Sequence, residues 1–94
     1  MNSIILTPSF KRSYKKFLRK HPEVRQSINM SIKKLEQDVF YPALKTHKLS
    51  GRLAEYYGCS CGYDCRIVFS AQKGESEKEQ NIILISIGTH EEVY

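Results

Sequence analysis

Five side chains in this sequence have the types that acid–base chemistry on a phosphate requires: His47, Asp64, Arg66, His90 and Tyr94. An imidazole can give or take a proton near neutral pH without extreme tuning. A guanidinium can hold a phosphate through two parallel hydrogen bonds and stabilise the charge that builds on it. Asp64 could orient a histidine or share the role of base. Together such groups could cleave RNA without a metal, one taking the proton of a 2′-hydroxyl and another protonating the departing 5′-oxygen. Two stretches hold them: HKLSGRLAEYYGCSCGYDCRIVF, residues 47–69, and GTHEEVY, residues 88–94.

Taken one at a time, the same residues have quieter readings. His47 could be a passive loop histidine and His90 a passive surface one. Arg66 could pair with Asp64, Glu91 or Glu92. Tyr94 could pin its segment to the core, and Tyr56, Tyr57 and Tyr63 could equally pack or offer faces for bases to stack on. Cys59, Cys61 and Cys65 crowd together, but an odd count with no secretion signal argues against a disulfide framework. Their spacing is also not that of a zinc knuckle, so buried free thiols are expected, with a metal site completed by His47 or His90 as the alternative.

The elements that must position these residues come from one small domain, residues 1–94, since a chain of 94 residues has no core to divide. Apolar content of 40% with 11% aromatics is that of a folded chain. The net charge is +5, and basic residues gather between Lys11 and Arg52. That asymmetry suits a polyanion or an acidic protein partner, although the helical lysines also read as a solvated face. No apolar run reaches the ~18 to 20 residues of a membrane span, and MNSIILTPSFKR has the wrong length and flanks for a signal peptide. A cytoplasmic protein is expected.

Met1–Leu6 reads as a strand, and Thr7-Pro8 as a helix start. Phe10, Tyr14, Phe17 and Leu18 fall on one helical face ending near Lys20-His21. Pro22 opens a second helix, carried by Val24, Ile28, Ile32 or Ser31, Leu35 and Val39 to about Asp38. Phe40–Gly51 is a connecting loop bearing Lys45, His47 and Lys48. Arg52–Cys61 and Asp64–Ala71 are strands about a turn at Gly62-Tyr63. Cys65, Ile67 and Phe69 share one face of the second, with Asp64, Arg66 and Val68 on the other. Gln72–Gln80 is a polar loop, and Asn81–Gly88 a central strand covered on both faces. The segment after it reads as an edge of strand carrying His90 and Tyr94. The class is α+β, ordered β-αα-β-β-β: a small twisted, mainly antiparallel sheet with a helical hairpin on one face.

This order, together with His47-x-Leu49-x-Gly51 before a tyrosine, Asp64-x-Arg66-Ile67-Val68-Phe69, and Gly88-Thr89-His90 followed by Tyr94, resembles the RelE/ParE superfamily of bacterial toxins. The likeness is strongest to its YafQ-like branch and spans almost the whole chain. It implies the toxin of a type II toxin–antitoxin system that cleaves mRNA on the ribosome. On that resemblance His90 is the general acid, Asp64 or His47 the base, Arg66 the clamp on the scissile phosphate and Tyr94 a positioning aromatic. Lys45, Lys48 and Arg52 would contact the RNA backbone. No metal or cofactor is implied. The implied partners are a cognate antitoxin, with which it would form a hetero-oligomer, and the ribosome with its mRNA; no membrane is involved. Ser60 departs from the pattern, standing where YafQ-like members place another histidine, and the cysteine cluster is foreign to it. The rivals are a ParE-like inhibitor of DNA gyrase, a type that lacks the histidine set, and a degenerate homologue acting through protein contacts.

Overall fold

The computed structural model describes residues 1–76 and 79–94. Strand β1 (Ser3–Leu6) passes into helix α1 (Pro8–Lys20) through Thr7. The Thr7 hydroxyl accepts from the Phe10 amide at 3.0 Å and donates to the Leu84 carbonyl at 2.7 Å, so one cap both starts the helix and ties it to the sheet. Phe10, Phe17 and Leu18 face inward, as the period requires, and Tyr14 is half-buried. Pro22–Val24 is a 3-10 turn and not the start of the second helix, because Val24 has not reached helical backbone angles. Helix α2 (Arg25–Gln37) then buries Ile28, Ser31 and Leu35.

The remaining elements are β2 (His47–Lys48), β3 (Tyr57–Gly62), β4 (Cys65–Lys73), β5 (Gln80–Gly88) and the helical turn α3 (His90–Val93). They form a sheet in the order β1-β5-β4-β3-β2, with β1 parallel to β5 and the other pairs antiparallel. Beyond the expected class, β2 lies within what reads as loop. The strand expected from Arg52 begins at Tyr57, because Gly51–Leu53 winds into a 3-10 turn. Within the polar stretch 72–80, β4 extends to Lys73 and β5 starts at Gln80, while residues 77 and 78 lie outside the described ones.

α1 packs on β5 and α2 on β3. Their apolar stripes meet Cys59, Cys61, Cys65, Ile67, Phe69, Ile82, Leu84 and Ile87 in one core. A bulge between Val68 and Phe69 in the β4–β5 ladder carries the inward face of β5 from Leu84 to Ile87. The Ile87 amide is satisfied by the Ser13 hydroxyl of α1 at 3.1 Å. β5 is interior to the sheet, as its apolar run suggests, but its second face is only half covered at Ile83 and Ile85.

The hairpin between β3 and β4 differs from expectation twice. Its turn is Tyr63-Asp64, since Gly62 still pairs with Cys65; Gly62 (φ 136°) and Asp64 (φ 47°) take the left-handed backbone that closes it. The second difference is a Cys61–Cys65 disulfide, with Cα atoms 5.1 Å apart, where free thiols are expected. Strand alternation sends both side chains to the helical face, and the bulge next to Cys61 brings them together across the turn. Only Cys59 remains a free thiol; it is fully buried, and burial pushes it up to about 12. A thiol count checks this pairing. Alkylation of the native protein at pH 8 should modify nothing, denaturation without reductant should expose one thiol, and reduction should expose three.

Candidate active site

Face alternation along β3 and β4 leaves Gly58, Ser60 and Arg66 on the side of the sheet away from the helices. α3 folds back against β4 and β5. Its capping box is complete: the Thr89 hydroxyl accepts from the Glu92 amide, and the Glu92 carboxylate accepts from the Thr89 amide at 2.8 Å. That last bond is the main reason the Glu92 carboxyl is held below its ordinary range. The segment expected as an edge of strand is therefore a capped helical turn. Helical pitch places His90 and Tyr94 on the same side, with ring centroids 4.9 Å apart and edge to face.

A second attachment comes from the hairpin. Asp64 Oδ1 accepts the backbone N–H of His90 at 3.0 Å. The third is a matter of space, because a Cβ on Gly58 would overlap the Tyr94 phenol. Tyr94 lies where Gly58 has no side chain, and His47 pairs with Gly58 in the β2–β3 register. The His47 ring accordingly meets Tyr94 edge-on at 5.7 Å. Its Nδ1 is 3.1 Å from the Lys45 carbonyl oxygen, which can only accept, so Nδ1 carries the hydrogen and Nε2 is left to take a proton. Burial raises the Tyr94 pKa, and the phenol keeps its proton at neutral pH.

Arg66 is half-buried opposite Ser60, and its guanidinium donates through one nitrogen to the carbonyls of Cys65 (2.9 Å) and Gly62 (3.1 Å). Among the described residues it has no carboxylate partner, so the ion-pair reading with Asp64, Glu91 or Glu92 is not what the structure contains. A half-buried cation held by neutral carbonyls, with its other donors unspent, has the chemistry to hold an anion.

Lys45, His47, Ser60, Arg66, His90 and Tyr94 line one cleft of about 340 Å³. Asp64 lies in an adjoining depression of about 560 Å³ that shares Lys45, Ser60 and Arg66 and adds Tyr63. Lys48 is one step away, in a groove with His47, Leu53 and Tyr94. Arg52 sits exposed on the 3-10 turn and lines neither cleft. Sequence reasoning passed over Gly58, whose signal was a glycine inside a strand, a mark of close approach.

The family sequence model described as the bacterial toxin of type II toxin–antitoxin systems, YafQ, matches residues 2–94. No curated protein sequence matches the chain. The fold is similar to that of a YoeB/ParE toxin from Agrobacterium tumefaciens (23% identity, 94% of this chain and 98% of that one, TM-score 0.73). It is equally similar to YafQ from E. coli (14% identity, 100% and 99% covered, TM-score 0.73). The toxin of the E. coli DinJ–YafQ toxin–antitoxin complex also matches (15% identity, 99% and 97% covered, TM-score 0.70).

Gly58→Ala tests how α3 is seated. The obstructing atoms belong to the far end of the Tyr94 side chain, so the ring should be expelled with little loss of melting temperature. Amide exchange at Val93 and Tyr94 should then accelerate while the β3–β4 hairpin amides stay protected, and unchanged protection of α3 would contradict the close approach.

Proposed function

The chain belongs to the YafQ family of bacterial toxins of type II toxin–antitoxin systems, and on that premise we propose that it is an endoribonuclease cutting mRNA on the ribosome. The observation that carries this reading is the convergence of two histidines and an arginine free of carboxylates in one cleft. Arg66 holds the scissile phosphate. His47, with Nε2 available, takes the 2′-hydroxyl proton as that oxygen attacks phosphorus. His90 delivers a proton to the departing 5′-oxygen, leaving a 2′,3′-cyclic phosphate and a 5′-hydroxyl. Asp64, engaged by the His90 amide, serves by fixing the acid in place, and the base role passes to His47. Tyr94, protonated and touching both imidazoles, keeps the two rings oriented and lends a hydrogen-bond donor.

Ser60 lies beside Arg66 and lines the cleft, so it leaves room for substrate without supplying a third imidazole. Lys45 and Lys48 contact the RNA backbone, with Arg52 an outer contact; the weight of phosphate recognition falls on the two lysines by position. The paired histidines favour this reading over gyrase inhibition. The E. coli relative crystallised with DinJ supports a cognate antitoxin as the partner, in a hetero-oligomer. No helix among the described residues is long and apolar enough to cross a membrane, and cytoplasmic action on ribosomes is the setting proposed.

Mapping of cut sites on a translated mRNA with purified ribosomes tests the reading directly; an absence of cuts would reject it. Arg66→Lys is the sharper variant, because it keeps the charge and removes the planar fork. Single-turnover cleavage should fall by about 10²-fold or more, with melting temperature nearly unchanged. Unimpaired cleavage would remove the clamp from the mechanism.

A further inference from the structure

Tyr63 is 100% exposed, at the tip of the β3–β4 hairpin. The other exposed aromatics all have company: Phe40 meets Tyr57 edge-on at 6.4 Å, Tyr41 lies under the Lys34 ammonium at 5.1 Å, and Tyr94 meets the two histidines. Among the described residues Tyr63 has no ring or cation against it. The fold therefore gains nothing from its ring.

The backbone that presents it is nonetheless tightly held. Left-handed residues flank it on both sides, Gly62 and Asp64, and left-handed Asp64 is a conformation that most side chains avoid. The Cys61–Cys65 bridge closes the turn from the helical face, and Arg66 binds the Gly62 and Cys65 carbonyls from the other. A fixed turn spares the backbone share of the ordering cost when something lies on the ring, and a tyrosine has only two side-chain torsions left to fix. What can lie there is limited by the neighbours, since Tyr63 shares its depression with Lys45, Asp64 and Arg66, next to the cleft of the two histidines.

Resting on the ribonuclease reading, we propose that Tyr63 is the platform on which an unpaired RNA base next to the cleaved bond stacks, and that it sets the base preference there. Arg66 holds the phosphate and the base attached to it turns out over Tyr63. A π-face accepts any base, so selection follows stacking strength and favours purines. The hydroxyl of Tyr63 has no part in this.

The test compares wild type, Tyr63→Phe and Tyr63→Ala in single-turnover cleavage of an mRNA held on purified ribosomes, over a range of toxin concentrations and with purine or pyrimidine beside the cut. Since the ring packs on nothing, all three should share one melting temperature. Tyr63→Phe should match wild type. Tyr63→Ala should need on the order of tenfold more toxin for half-saturation, with most of the purine preference gone. Equal behaviour of Tyr63→Ala and wild type would overturn the platform while leaving the ribonuclease reading in place. Equal loss in Tyr63→Phe and Tyr63→Ala would overturn it in favour of a role for the hydroxyl. A wild type that cuts nothing would overturn both.

Discussion

The absence of a side chain at Gly58 is the constraint on which the rest of the site depends. β3 and β4 offer a sheet surface with Arg66 and Ser60 on it, but no proton-transfer group stands on those strands. His90 and Tyr94 reach that surface only because the chain after β5 folds back over it, and it can lie that close only where the strand beneath has no Cβ. The capping box makes the turn rigid enough to return, and Asp64 holds it where the hairpin can reach. His47 arrives from the opposite edge, placed by its pairing with the same glycine. One small residue thus brings together side chains from three separate parts of the chain.

The two faces of the sheet divide the work. The helical face is a dry core of aliphatic and aromatic side chains with the buried Cys59 thiol among them. The other face is more thinly covered: it keeps apolar side chains at Val68, Ile83 and Ile85 and carries the charge of Arg66 beside Ser60. Arg66 is where the two requirements meet: its half-buried position would cost stability if the cation were bare, and the hairpin carbonyls satisfy it without neutralising it. A carboxylate in their place would stabilise the cation equally well and leave nothing for a phosphate.

Much of this was legible in the residues, wherever the pattern was long or the caps were local. Thr7-Pro8 and the spacing of Phe10, Phe17 and Leu18 marked α1, and the alternation of Cys65, Ile67 and Phe69 marked the inner face of β4. The site residues could be gathered from the two stretches, but not arranged. β2 has two residues and hence no period to read. The extra residue at each bulge shifts facing or pairing in a way that composition does not announce, which is why the Tyr63-Asp64 turn and the Cys61–Cys65 bridge were misjudged. α3 was legible after all: Thr89-x-x-Glu92 is a helix start, obscured by the apolar run before it. Asp64 meets a backbone amide 26 residues away through Oδ1, a partner that no local signal names.

The parallel pairing of β1 with β5 bears on when the molecule can take shape. Strand β1 is made first and its ladder partner is residues 81–84, so through most of synthesis Ile4 has no strand beside it and the underside of α1 has no β5 to rest on. Contacts so distant in sequence close late. The sheet therefore stays incomplete until β5 is made, and α3, which follows β5, is seated after it. The cleft lined by His90 and Tyr94 thus takes its shape only after the core on which it rests.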